Sequence, residues 1–329
     1  MSVERWYVAI DGGNSKTHVA IGSTDGRLHA FVRGPGSCPD VIGVPDAVAL
    51  LDSLVRQAVA QAGMPVGTEL SRAEVYLAGA DLPVEVDVLM KAVGEAGWAR
   101  EHRVDNDLFA LLRAGTANPD AVAVVCGAGI NCIGRAGDGR TARFAALGEI
   151  TGDWGGGHHL AKLALWHAAR GEDGRGPLTA LTPAVPDHFG LSTVEEVAAA
   201  IHFGELDRDR IDELSPVLFT VAAAGDAVAR EVVARQAQEV IALATVAAGR
   251  LGLLDKPHAV VLGGGVLAAR HPLLHNAVVE GLLAAAPLAQ IGIVTDPPVV
   301  GAALLALDAL GPTGTAVESA VREAVRAAA

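Results

Sequence analysis

The chain has 329 residues, enough for two compact bodies or one large one; 51% of it is hydrophobic but only 4% aromatic, so its core must be built from Ala, Val and Leu. A formal charge of −13 excludes broad contact with nucleic acid or an anionic membrane, since both need clustered Lys and Arg to replace counterions. Three cysteines, Cys38, Cys126 and Cys132, form no CxxC pair, and the N-terminus MSVERWYVAI lacks the apolar core of a signal peptide; together they predict a reduced, cytoplasmic protein.

In chain order, residues 6–10, 18–22 and 28–33 read as three strands, with Asp25-Gly26 supplying a tight hairpin turn. A helix at 46–63 carries Leu51, Leu54, Val55 and Ala58 on one face, and is followed by a strand at 74–79, a helix near 84–97, a strand at 101–105 and a helix from 107. Residues 121–126 (AVAVVC) then restart the pattern: buried strand, glycine turn GAGIN, strand at 131–135, Asp138-Gly139 turn, strand at 141–146. The repeat predicts two similar α/β lobes with a cleft between them. Residues 158–251 read as largely helical and end in a long helix capped by Asp226. A strand at 258–263, a helix at 272–285, a strand at 290–294 and a helix at 298–309 complete the second lobe. The stretch 281–307 is the most apolar, but Pro287, Asp296, Pro297 and Pro298 break it, so it reads as strand and helix rather than a membrane span. The alanine-rich tail from Thr313 is a helix without an assignable role. The expected divisions are 1–117, 118–311 and the tail 312–329.

The chemistry concentrates in glycine turns. In DGGNSKT (11–17) Ser15 rather than glycine precedes Lys16 and a strand follows, so this is a hairpin and not a Walker-type loop. Gly12, Gly13 and Asn14 leave backbone N–H groups open to a ligand, Ser15 and Thr17 add hydroxyls, Lys16 adds a cation, and Asp11 can hold a hydrated Mg²⁺. A plain Gly-Gly turn between strands is the bland alternative. Gly127, Ala128 and Gly129 form the counterpart cradle, and two phosphate hairpins suggest a nucleoside triphosphate. In LGGGVLAA (262–269), Gly263, Gly265 and Ala268 match the GxGxxA spacing of a dinucleotide fold, but Glu280 comes early for a ribose-binding acid; a turn beneath a nucleoside, with Gly264 and Gly265, is the preferred reading.

DGGNSKT, CGAGIN, GDWGGG (152–157), AAAGDAVAREVVARQA (222–237) and LGGGV, in that order, resemble the N-acetylglucosamine kinase branch of the sugar kinase/actin/Hsp70 superfamily, which also includes the ATPase activators of benzoyl-CoA reductase and 2-hydroxyacyl-CoA dehydratase. The resemblance spans residues 8 to about 309. It implies two ribonuclease H-like (actin-like ATPase) lobes, Mg·ATP as cosubstrate, a sugar as substrate and a homodimer. It makes Asp107, in RVDNDLFALL, the general base, places Asn106, Asn131 and Asp153 beside the sugar, and puts Ala128, Ala222 and Gly265 along the nucleotide. Phosphoryl transfer is mostly positioning and charge neutralisation, which one carboxylate and two N–H cradles can supply. Asp107 can equally serve as a helix N-cap, and Asp153 as a cap for the helix near His158.

The sequence departs from the branch where selectivity should be decided: Cys38 stands in place of a sugar-binding Asn, Leu147 in place of a Trp, Trp154 in place of an acid, and Ala128 and Ile130 in place of hydroxyl residues. An amino sugar, N-acetylglucosamine or glucosamine, is the expected substrate. The alternatives are an ATPase that drives a partner protein, for which Cys126 would have to ligate an iron–sulfur cluster, and a nucleotide-binding regulator without catalysis. His158, His159 and His167 have no ligand-spaced partner and read as ordinary histidines rather than a metal site.

Overall fold

Residues 5–65 and 67–329 are described in a computed structural model, so the reading of the extreme N-terminus lies partly outside the described residues. By internal contacts the chain forms two units, residues 5–119 with 294–329, and residues 120–293.

In the first unit Trp6–Gly12 (β1) pairs antiparallel with Lys16–Ser23 (β2), Gly12 opposite Thr17, and β2 pairs with Leu28–Pro35 (β3). After the short helix Pro39–Ile42 (α1) and Val44–Gln61 (α2), Leu70–Leu77 (β4) joins β1 in parallel. Pro83–Ala96 (α3) crosses over to Ala99–Asn106 (β5), which pairs parallel with β4, and Asp107–Gly115 (α4) follows. The order is β3-β2-β1-β4-β5. Strand β4 starts at Leu70, ahead of the expected 74, because Arg72 and Glu74 interrupt the apolar pattern; they ion-pair with each other at 2.7 Å, with Glu74 buried. Val8, Ile10, Val19, Ile21, Val75 and Leu77 form one core with Leu51, Leu54, Val55 and Ala58 of α2, the helix face expected from periodicity.

The second unit repeats the plan. Ala121–Cys126 (β6), Ile130–Arg135 (β7) and Thr141–Arg143 (β8) form the meander, and His258–Gly263 (β9) and Ala289–Ile293 (β10) add parallel strands in the order β10-β9-β6-β7-β8. Read from the meander edge, the two sheets have the same strand order, as the sequence repeat required. Strand β8 stops at Arg143 instead of 146, since Ala146 and Gly148 take left-handed backbone angles, φ 51° and 69°, that a strand cannot continue through. Five helices fill the insertion: Gly157–Glu172 (α5), Leu181–Phe189 (α6), Val194–Phe203 (α7), Leu214–Ala223 (α8) and Ala227–Leu251 (α9). Asp226 caps α9 by accepting from Ala229 N–H at 2.9 Å, as expected. Gly265–Ala268 (α10) and Pro272–Ala285 (α11) lie between β9 and β10.

The expected boundary near 311 does not hold, because Pro298–Leu310 (α12) and Thr315–Ala328 (α13) return to the first unit. Gly301 of α12 approaches α4 so closely that a Cβ would lie 1.7 Å from the Ala110 carbonyl oxygen. The tail helix is bound by charge: Arg113, buried on α4, donates to both Asp308 and Glu318, while Arg322 and Arg326 pair with the buried Asp296. Val321 and Val325 supply its apolar side. No described helix is long and apolar enough to cross a membrane.

Candidate functional site

The first unit places its chemistry at the carboxyl ends of β1, β4 and β5. The turn after β1 closes on itself, with Gly13 N–H donating to the Lys16 carbonyl at 2.9 Å, and is packed from behind by the loop after β3: Ser37 N–H donates to the Gly13 carbonyl, and a Cβ on Gly36 would lie 2.0 Å from the Asn14 carbonyl oxygen. A Cβ on Gly12 would meet Ser37 Oγ at 2.3 Å, so this glycine is required by close approach. Thr17 is fully buried and its hydroxyl is used within the fold, against the Pro35 carbonyl and Ser37 Oγ at 2.7 and 2.8 Å, which removes it from direct ligand contact. Asn14, Ser15 and Lys16 are exposed, and among the described residues the N–H groups of Asn14 and Ser15 have no hydrogen-bond partner. Those N–H groups, rather than that of Gly13, are the available donors.

Asp107 opens α4. The cap of that helix is Asn106, whose Oδ1 accepts from Leu108 N–H at 3.0 Å and whose Nδ2 donates to Asp81 at 2.9 Å. Asn106 is buried with both ends of its amide engaged inside the fold, so it holds the site's backbone, and Asp107 is freed from the capping role. Burial, then repulsion from Asp11 and from Asp81, pushes the Asp107 carboxyl up to about 7. Asp11 is nearly buried on β1 opposite His18, whose Nδ1 lies 3.8 Å from its carboxylate. Such crowding of carboxylates is what a divalent cation would relieve, so the donor set fits Mg²⁺ held on Asp11 through water. Cys38, buried, lies at the same end, with its Sγ 2.9 Å from where a Gly79 Cβ would be.

In the second unit three glycine clusters converge. Gly127 N–H donates to the Gly129 carbonyl, the Gly127 carbonyl accepts from Gly157 N–H at 2.7 Å, and the Ala128 carbonyl accepts from His158 N–H at 3.1 Å. A Cβ on Gly264 would lie 2.5 Å from the Cys126 carbonyl group, and one on Gly156 would lie 2.6 Å from the Ala128 oxygen. Both glycines have positive φ, 84° and 86°. Gly264 and the GGG run at 155–157 are therefore the bed on which the turn rests, a role the sequence reading did not give to GGG. Ala128 and Gly129 are exposed, and among the described residues their N–H groups have no hydrogen-bond partner. Asn131 turns its Oδ1 to Cys132 N–H at 2.6 Å. Asp153 caps no helix; it accepts from Gly148 N–H at 3.0 Å and Thr151 Oγ1 at 2.7 Å and holds its own loop.

Beside Gly265 is a cavity of about 340 Å³ with walls from Ser215, Pro216, Phe219, Thr220, Val266 and His271, of a size for a small flat ligand. Gly265 has open space where a Cβ would be, whereas Ala222 is fully buried and does not line it. A four-residue α10 after β9, where a dinucleotide fold needs a full helix, removes the GxGxxA reading. Cys126 and Cys132 are buried free thiols, pushed up by burial, Cys126 to about 12. No group of three or more metal-ligating side chains occurs among the described residues, and His158 pairs with Asp212.

Two five-stranded sheets of one topology, each with a glycine turn after its central strand, define the actin-like sugar kinase class of fold. The chain belongs to the BadF/BadG/BcrA/BcrD ATPase family, whose model matches residues 8–306. It is 26% identical over 264 residues to the N-acetylmuramic acid/N-acetylglucosamine kinase of Clostridium acetobutylicum, covering 80% of this chain and 86% of that protein. It is 24% identical over 317 residues to the N-acetyl-D-glucosamine kinase of Dictyostelium discoideum, covering 92% and 98%. Among solved structures it resembles a candidate N-acetylglucosamine kinase from Chromobacterium violaceum, with a TM-score of 0.68 at 22% identity over 92% of this chain and 99% of that one. A ROK family glucokinase from Streptomyces griseus, solved with glucose and AMPPNP, has a TM-score of 0.52 at 19% identity, covering 92% and 99%.

Proposed function

We propose that the chain is an ATP-dependent carbohydrate kinase acting on an amino sugar, N-acetylglucosamine or glucosamine. The observation that carries this reading is Asp107: a carboxylate at a strand end, freed from helix capping by Asn106 and raised to about 7 by burial and by Asp11 and Asp81. A base poised near neutrality takes the proton of a sugar hydroxyl as that oxygen bonds to the γ-phosphorus and the bond to ADP breaks. Asn14, Ser15 and Lys16 in the first unit and the N–H groups of Ala128 and Gly129 in the second bind phosphate oxygens, with Gly12, Gly13, Gly127 and Gly264 allowing the close approach. Gly265 and the cavity beside it take the nucleoside. Mg²⁺ on Asp11 would supply neutralisation of phosphate charge. Asp153 and Asn131 act on the sugar side, and the protein works as a homodimer in the cytoplasm.

A partner-driven ATPase is the second reading, because the family is named for ATPases. The burial of Cys126 and its raised thiol oppose it, since a ligand to a cluster shared between subunits must be an accessible thiolate. A coupled assay of ADP formation across hexoses and amino sugars separates the two readings. Stimulation by an amino sugar is expected, and ADP formation indifferent to every sugar overturns the kinase reading.

A further inference from the structure

The long helix α9 carries one polar residue in the middle of its buried stripe. Val232, Val233, Ala237 and Val240 line that stripe, and Gln236 sits among them with no exposed surface. Burying an amide in such a place is costly unless its polar atoms are used. Only one end is used: Oε1 accepts from Gly156 N–H at 3.0 Å, while Nε2 has no partner. Gly155 presses on the same amide, since a Cβ there would lie 2.3 Å from Oε1, and its φ of 115° admits little but glycine. The next two residues after Gly156 close on the second glycine turn through Gly157 N–H to the Gly127 carbonyl and His158 N–H to the Ala128 carbonyl.

We infer that Gln236 is a positioning residue for nucleotide binding: through its Oε1 it fixes the 155–157 glycine loop, which in turn holds the 127–129 turn in the conformation that exposes the Ala128 and Gly129 N–H groups. The inference rests on the reading of that turn as a phosphate cradle. What matters is the acceptor, not the amide as a whole, because the donor end has no partner. An isosteric apolar side chain loses one hydrogen bond but also removes an unsatisfied buried donor, so its effect on stability is near neutral. The loop above it, however, loses its tether.

The test is calorimetric titration of the full chain with Mg·ADP and with a non-hydrolysable ATP analogue, alongside thermal melting. Gln236→Met is expected to melt within a few degrees of the wild type yet bind nucleotide about tenfold more weakly, the equivalent of one net hydrogen bond. Gln236→Glu, whose buried side chain stays protonated among Val and Ala and keeps a carbonyl acceptor, is expected to bind within about threefold of the wild type, and KM for the sugar is expected to stay unchanged in both. Equal nucleotide affinity in the wild type and Gln236→Met overturns the inference. So does weakening in Gln236→Met and Gln236→Glu alike, which would make the site a matter of packing. Should Gln236→Met fail to fold, Gln236→Leu, which also lacks an acceptor and leaves the loop's own residues unchanged, must reproduce the tenfold loss. If the wild type binds neither nucleotide, the phosphate-cradle reading fails first and this inference with it, an outcome distinguishable because no variant is needed to see it.

Discussion

Replacing Asp107 with Asn separates chemistry from stability in one substitution. The carboxyl is raised from an ordinary value of 3.8 to about 7 by burial and by the charges of Asp11 and Asp81. A raised carboxylate costs the folded state nothing below pH 3.8, where both folded and unfolded forms are protonated, and costs progressively more as pH climbs towards 7, above which the full penalty applies. At 1.36 kcal/mol per unit the penalty comes to about 4 kcal/mol. Asn keeps the shape and removes the charge. Its stability should therefore match the wild type near pH 4 and exceed it by as much as about 4 kcal/mol at pH 8, on the order of 10 °C in melting temperature. Turnover should fall roughly 10²–10⁴-fold while nucleotide affinity stays within a factor of a few. In the wild type, kcat/KM should rise with pH up to about 7, and this acid limb should vanish in Asp107→Asn. Urea or thermal unfolding at pH 4, 6 and 8, paired with initial rates, measures all of this. A variant no more stable at pH 8 than at pH 4 relative to the wild type, or one with unaltered turnover, would refute the reasoning.

Other outcomes follow from the same contacts. Gly156→Ala puts a Cβ 2.6 Å from the Ala128 oxygen at a φ of 86°, so KM for ATP should rise at least about tenfold in steady-state kinetics, with the sugar KM little changed. Arg113→Met removes the buried partner of Asp308 and Glu318 and should cost about 3 kcal/mol in urea unfolding, whereas Glu318→Gln should cost less than half of that. Protein purified under anaerobic conditions should carry well under one iron per chain by metal analysis, because Cys126 and Cys132 are buried; stoichiometric iron would favour the partner-driven ATPase.

The doubled plan was legible because both units write it locally. YVAI and AVAVVC are apolar runs long enough for buried strands, and each ends in glycines that only a tight turn accommodates. The hairpin at 12–17 was legible for the same reason: a strand, not a helix, follows Lys16. What the sequence hid depends on contacts far apart in the chain. Ser37 and Gly36 packing on the first turn, and Gly156 and Gly264 packing on the second, are tertiary facts with no local period. Thr17 looked like a phosphate ligand by its neighbours, yet Pro35 and Ser37, some twenty positions on, take its hydroxyl into the core. Gln236 did leave a trace, a polar residue in register with Val232 and Val240, but such a residue reads as surface until the stripe is known to be buried on that side. The return of α12 and α13 to the first unit turned on Gly301, Asp308, Glu318 and Asp296, whose partners lie as far as 205 positions away.

The central claim is that phosphate leaves ATP for a sugar hydroxyl. Phosphorus NMR of the chain with Mg·ATP and N-acetylglucosamine or glucosamine should show a sugar phosphate appearing in step with ADP, one for one. Inorganic phosphate accumulating in its place, at a rate unmoved by either sugar, would contradict the account.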